Sequence, residues 1–256
     1  MKAMILAGGF GTRLAEETDV RPKPMVEIGG RPIIWHIMNH YASHGIKEFV
    51  VCLGYKAEYV KKFFLDYAAS LSDFTIDLAT HEVEVHTRRA EDWQVTLVDT
   101  GRDTMTGGRI KRAIQHVSPD EPFCLTYGDG LSDVDITGTI AYHKAHGRLA
   151  TVTAVTPPGR FGVLDIDEGD RVTGFREKIA SDQYRINGGF FVLDPKVGDF
   201  IDGDETIWEQ TPMHRLAAEG ELRAWNHEGF WQPMDTLRDK MYLESLWDSG
   251  NPPWRR

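Results

Sequence analysis

Three glycines, a hydroxyl and two cations stand close together near the start of this 256-residue chain. Gly8, Gly9 and Gly11 follow the apolar run Ala3-Met4-Ile5-Leu6-Ala7; Thr12 and Arg13 come next, and Lys23 sits between Pro22 and Pro24. Glycines let the backbone turn with positive φ and bring bare N–H groups up to a ligand. Such a loop after a buried strand cradles phosphate oxygens, and an arginine and a lysine beside it balance phosphate charge. A Walker A loop is excluded, because no Gly-Lys-Ser/Thr triplet follows the glycines. A dinucleotide fingerprint is disfavoured, since its third glycine position is taken by Leu14. An ordinary strand–turn accounts for the glycines alone, but not for Thr12, Arg13 and the proline-bracketed Lys23.

Two acids are candidates for what a phosphate site still lacks. Asp129 lies between Gly128 and Gly130, directly after the apolar run Phe123–Tyr127. At the carboxyl end of a strand in an open α/β sheet, a carboxylate is placed to hold Mg²⁺, which prefers oxygen ligands. The competing reading is a tight turn, for which Gly-Asp-Gly is good chemistry. Asp235 precedes a helical run, where an aspartate also serves as an N-cap. Glu177-Lys178 follows a strand and could be a surface ion pair. Asn187-Gly188-Gly189 interrupts a strand, which marks either close approach of a ligand or a β-bulge. His81 and His86 lack H-E-x-x-H spacing and face opposite ways on a strand, so a solvated face is expected there.

Gly8-Gly9-x-Gly11-Thr12-Arg13-Leu14 followed by Pro22-Lys23-Pro24 resembles the signature of the sugar-1-phosphate nucleotidyltransferases, which join a nucleoside triphosphate to a sugar 1-phosphate. The resemblance implies a nucleotide cradle of Leu6, Ala7, Gly8, Gly9, Gly11, Thr12, Arg13, Lys23, Thr104, Gly108, Arg109 and Asp129. It implies a sugar-phosphate side made by Gly162, Glu177, Lys178, Asn187, Gly188 and Asp235, and Mg²⁺ held by Asp129 and Asp235. In these roles Arg13 steadies the leaving pyrophosphate, Lys23 neutralises charge near the α-phosphate, and Lys178 aims the attacking phosphate. Ile179 stands where the family carries a proline after the Glu-Lys pair. The stretch 104–109, together with 24–30, 95–101, 158–162 and 229–240, most resembles the branch of the family that takes CTP and glucose 1-phosphate. Relatives using UTP, dTTP or GTP share the opening signature, and a non-catalytic nucleotide-sugar sensor could be built on the same fold.

Positioning these residues falls to alternating elements. Strands are expected at 49–53, 94–98, Phe123–Tyr127 and Ala150–Val155, with helices between them; Thr106 is placed to cap the helix that carries Ile110, Ala113, Ile114 and Val117. That order points to a Rossmann-like α/β fold, an open and mostly parallel sheet with helices on both faces. From residue 157 the texture turns to short strands at 161–166, 172–176 and Ile186–Leu193, which predicts a β-rich sugar-binding extension. Helices at 206–219 and 236–247 complete one nucleotidyltransferase domain over 1–256, with 1–156 its nucleotide half and 157–256 its sugar and C-terminal half.

The whole-chain numbers agree with small-molecule work. A net charge of −10 argues against a nucleic-acid surface. No apolar run reaches the roughly 18–20 residues of a membrane span, and no signal peptide is read, so a cytoplasmic protein without membrane partners is expected. Cys52 and Cys124, the two cysteines, both lie in apolar runs and read as reduced core thiols. The family resemblance adds the expectation of a homo-oligomer.

Overall fold

The computed structural model describes residues 1–87, 89–157, 162–166, 171–177 and 184–255; the side chains of residues 13, 15, 16, 162–166, 172 and 174–177 lie outside that description. In chain order the first part carries β1 (Ala3–Leu6), α1 (Ala15–Thr18), β2 (Glu27–Ile28), β3 (Arg31–Pro32), α2 (Ile33–Ser43), β4 (Glu48–Leu53), α3 (Ala57–Ser70), β5 (Phe74–Ile76) and β6 (Val83–Val85). It continues through β7 (Gln94–Asp99), α4 (Thr106–Ala113), β8 (Phe123–Tyr127), β9 (Gly130–Ser132), α5 (Ile136–His146) and β10 (Ala150–Val155). The remainder adds β11 (Gly162–Ile166), β12 (Val172–Glu177), β13 (Ile186–Leu193), α6 (Thr211–Ala218), β14 (Leu222–His227), β15 (Trp231–Pro233) and α7 (Leu237–Asp248).

Seven strands form the central sheet in the order β14-β10-β13-β8-β1-β4-β7. β8, β1, β4 and β7 are mutually parallel, β14 is parallel to β10, and β13 runs antiparallel to both its neighbours. Successive side chains of a strand point to opposite faces, so a sheet covered on both sides needs apolar residues at every position. β1 meets that demand: Ala3 and Ile5 enter one core, Met4 and Leu6 the other. α2 packs Ile33, Ile37 and Tyr41 into the first core, joined by Val60 of α3 and Leu243 of α7. α4 supplies Ile110 and Ala113 to the second, and α6 supplies Leu216. The α/β sheet with helices on both faces is therefore as expected. Among the described residues, no helix is long and apolar enough to cross a membrane.

One expectation fails in detail. β13, assigned to an extension, is a member of the central sheet and fills the space between β8 and β10. Its run Phe190-Phe191-Val192-Leu193 is buried on both faces, as an interior strand requires. What stands apart is the β11–β12 hairpin, a two-stranded sheet of its own. α6 begins at Thr211, with Pro212 in its first turn, rather than at 206. The chain leaves central β1 toward β4 on one side and returns to β8 on the other. The loops after β1 and β8 thus flank a topological switch point, where ligands of open α/β sheets bind.

Candidate active site

Backbone pairing brings the two candidate acids together. Gly128 donates its N–H to the Leu6 carbonyl at 2.9 Å, which sets Asp129 beside the loop that follows β1. β9 and β15 then pair antiparallel, Gly130 opposite Pro233, and the Met234 N–H donates to the Asp129 carbonyl at 2.8 Å. Both carboxylates end on one ammonium: Lys23 Nζ donates to Asp129 Oδ2 at 2.7 Å and to Asp235 Oδ1 at 2.8 Å. Lys23 opens a short 3₁₀ turn, Lys23–Met25, and is buried. Its ammonium, expected near a phosphate, is held by the acids expected to hold a metal. The cap reading of Asp235 is settled by its neighbours. Thr236 is the N-cap of α7, accepting from the Asp239 N–H, and Asp239 reciprocates by accepting from the Thr236 N–H. That capping box leaves cap duty away from the Asp235 carboxylate.

A cavity of about 540 Å³ opens beside this cluster. Of the residues expected to cradle a nucleotide, Leu6, Ala7, Gly8, Gly9, Gly11, Thr12, Lys23, Thr104, Arg109 and Asp129 line it. Gly108 does not: it backs onto the Asp204 backbone, where an added Cβ would lie 2.6 Å from Asp204 Cα. The side chain of Arg13 is outside the described residues, although its backbone belongs to the turn Thr12–Leu14. Met105 of the 104–109 stretch lines the cavity as well, and so do Phe10, Arg102, Asp103 and Tyr127, which were not singled out in the sequence. Their signal was position: Arg102 and Asp103 follow the carboxyl end of β7, and Tyr127 ends the strand that delivers Asp129. Thr106, read as a helix cap, is instead the first residue of α4; its hydroxyl accepts from the Trp208 N–H at 2.9 Å and donates to Glu209.

Arg109 is placed differently from a ligand-facing cation. Its guanidinium is buried and donates to the carbonyls of Leu53 (3.1 Å), Gly101 (2.7 Å), Gly8 (3.0 Å) and Arg102 (3.1 Å) and to the Thr100 hydroxyl (2.9 Å). It ties together the carboxyl ends of β1, β4 and β7, and burial lowers its pKa from the ordinary value. This explains one of the opening glycines. A Cβ on Gly8 would lie 2.2 Å from Arg109 Nη1, whereas nothing stands within 4 Å of one on Gly9. Gly8 makes room for the guanidinium; Gly9 stays open to the cavity.

On the far side of Asp129 a smaller cavity of about 70 Å³ is lined by Tyr127, Asn187, Gly188, Gly189 and Trp231 among others. The Asn187-Gly188-Gly189 interruption of β13 lies at this cavity. The β10–β13 register shifts between Val152 and Ala154, so a bulge is present. The bulge also lines a cavity, with the Gly188 carbonyl accepting from Trp231 Nε1 at 2.6 Å. Asp129 and Tyr127 line both cavities. Gly162 pairs opposite Glu177 in the β11–β12 hairpin. The side chain of Glu177, the whole of Lys178 and Ile179, and residues 158–161 fall outside the described residues. Cys52 and Cys124 are free and buried.

Comparison with known proteins gives the family of the chain. A family model described as nucleotidyl transferase matches residues 2–218. The chain is 60% identical over 255 residues to a glucose-1-phosphate cytidylyltransferase of Salmonella typhi, covering 100% of this chain and 99% of that one. It is 44% identical over 256 residues to a probable glucose-1-phosphate cytidylyltransferase of Bacillus subtilis, with 100% and 99% covered. Among solved structures, HddC from Yersinia pseudotuberculosis superimposes with a TM-score of 0.69 at 22% identity, covering 96% of this chain and 99% of that one, a likeness of fold.

Proposed function

The chain belongs to the nucleotidyl transferase family, and from that premise we propose that it makes CDP-glucose and pyrophosphate from CTP and α-D-glucose 1-phosphate. The convergence of Lys23 and Asp129, which line the glycine-lined cavity, with Asp235 carries the reading. A phosphate oxygen of glucose 1-phosphate attacks the α-phosphorus of CTP in line. The bond from that phosphorus to the bridging oxygen breaks, and pyrophosphate leaves on the opposite side. Reactions of this kind depend on positioning and charge stabilisation, so no nucleophilic side chain is required. The loop after β1 offers backbone N–H groups to the triphosphate. The two carboxylates pin the flexible stem of Lys23, and a fixed ammonium stabilises developing charge without reorganising. Arg13 steadies the pyrophosphate and Lys178 orients the attacking phosphate, with Glu177 and Asn187 on the sugar.

The residues fit Mg²⁺. Two carboxylates meet at a point that already attracts a cation, and Mg²⁺ is commonly held by one or two carboxylates plus substrate phosphates. Asp129 and Asp235 would hold the ion, which when bound supplies charge compensation for the triphosphate. A homo-oligomer belongs to the same proposal. The hairpin β5–β6 pairs Phe74 with Val85 and Ile76 with Val83, and all four side chains are about half exposed on one face.

The test is turnover of glucose 1-phosphate with each of CTP, UTP, dTTP and GTP, with and without magnesium, read as pyrophosphate release. CTP with magnesium should give the highest kcat/KM. A higher value for another triphosphate would overturn the base assignment, and no release with any of them would leave a sensor.

A further inference from the structure

The carboxylate of Glu209, in the loop ahead of α6, has no part in the chemistry above. It accepts two hydroxyl hydrogen bonds, from Thr106 Oγ1 at 2.7 Å on Oε2 and from the Tyr127 phenol on Oε1. Hydrogen bonds to an ionised acceptor are about twice as strong as neutral ones, so this carboxylate holds both hydroxyls firmly. Thr106 is the first residue of α4 and lines the nucleotide cavity; Tyr127 lines both cavities. Burial, with the neighbouring Glu209 charge, raises the phenol's pKa, so it stays protonated and donates to Glu209.

Asn187, on the sugar side, also acts electrostatically on this phenol. The Asn187 Oδ1 accepts from the Gly189 N–H at 2.8 Å, which ties the amide to Gly189. Gly189 has φ +79° and lies against the ring, where a Cβ would stand 2.7 Å from Tyr127 Cδ2. The bulge therefore cannot shift without the ring. A run of contacts leads from Thr106 through Glu209 and the Tyr127 ring to Gly189, joining the wall of one cavity to the wall of the other.

We propose that Glu209 is a positioning residue that couples the two substrate subsites, fixing the Thr106 end of α4 and the Asn187–Gly189 bulge as one unit through the Tyr127 ring. The coupling rests on the reading that the larger cavity takes the nucleotide and the smaller the sugar phosphate. Binding of one substrate orders the wall that receives the other.

The test is steady-state kinetics of Glu209→Ala, Glu209→Gln, Tyr127→Phe and the Glu209→Ala/Tyr127→Phe double variant, varying each substrate in turn. Glu209→Ala and Tyr127→Phe should each raise KM for both CTP and glucose 1-phosphate about tenfold, the size expected for one hydrogen bond to a charged group, with kcat little changed. The double variant should be no worse than the worse single one, because both changes break the same link. Glu209→Gln keeps one acceptor oxygen and no charge, so it should recover only part of the loss. Independent, multiplying losses, or a rise in KM for one substrate alone, would overturn the coupling. Tyr127→Phe removes a single oxygen, so it carries the test if Glu209→Ala fails to fold. Failure of the wild type to turn over CTP and glucose 1-phosphate would sink the substrate reading. Wild-type turnover with unmoved KM values in the variants would sink the coupling alone.

Discussion

The N–H of Met234 donates to the carbonyl of Asp129 at 2.8 Å, and this bond fixes how far apart the two site carboxylates stand. One belongs to Asp129 and the other to Asp235, the residue after Met234. A register slip of one residue in the β9–β15 pair would turn Asp235 away from Lys23.

At the start of α7 the proposed site carboxylate and the cap belong to separate residues, so mutation should separate the two effects. Asp235→Asn should lower kcat/KM by about 10² or more, the usual loss when a preorganised charged contact is removed, with little change in melting temperature. Thr236→Val should do the reverse, costing about 1 kcal/mol of stability through loss of the N-cap while leaving turnover near wild type. Pyrophosphate release and thermal melts on the same two preparations read both effects.

Gly8 and Gly9 are neighbours with different reasons to lack a side chain. Gly8→Ala forces a methyl into the Arg109 guanidinium and should loosen the tie between β1, β4 and β7. Overpacking of this kind destabilises by about 1–3 kcal/mol, and the melting temperature should fall. Gly9→Ala meets no protein atom; it should melt like the wild type and raise KM for CTP. Equal melting temperatures for the two variants would contradict the assignment.

His36 makes stability depend on acidity. Its Nε2–H donates to the Ile28 carbonyl at 2.8 Å, and its Nδ1 accepts from Trp254 Nε1 at 3.3 Å. Burial pushes its pKa down from 6.5 to about 4. Below about pH 6.5 the unfolded chain binds a proton that the folded chain refuses until near pH 4. Stability should therefore be flat above that window, fall by up to about 3 kcal/mol as pH drops through it, and level off beneath. Urea midpoints across the window should show the slope, and His36→Gln should flatten part of it.

Burial pushes the thiols of Cys52 and Cys124 up to about 12. A thiolate is the reactive form, so the native protein at neutral pH should be inert to a thiol-specific chromogenic reagent. Both cysteines should react once denaturant is added. Rapid labelling without denaturant would show that the sheet opens locally.

The parts of the site that could be read from sequence share a local signal. The glycine loop, Asp129 and Asp235 each sit where an apolar run stops, and strand ends are visible as composition. Arg109 had no such signal. Nothing in 104–109 shows that its guanidinium turns back under the loop to meet carbonyls from three strands, because that depends on how those strands pack. Lys23 was identified, but its place between the acids was not, since its partners lie far along the chain. β13 was misassigned for a related reason: a buried strand reads the same wherever it pairs. Glu209 was invisible because a carboxylate that serves two hydroxyls looks, in sequence, like a solvated one.

The place of β13 has a consequence for how the protein is made. A ribosome finishes β8 and β10 well before β13 emerges, and the slot between them stays empty until Leu193 is out. Over that interval the nascent chain shows an unpaired edge of apolar β8, the kind of edge that recruits neighbouring chains. A product cut short before residue 186 would keep that raw edge for good. The antiparallel strand is thus the closure that removes this edge from everything synthesised before it.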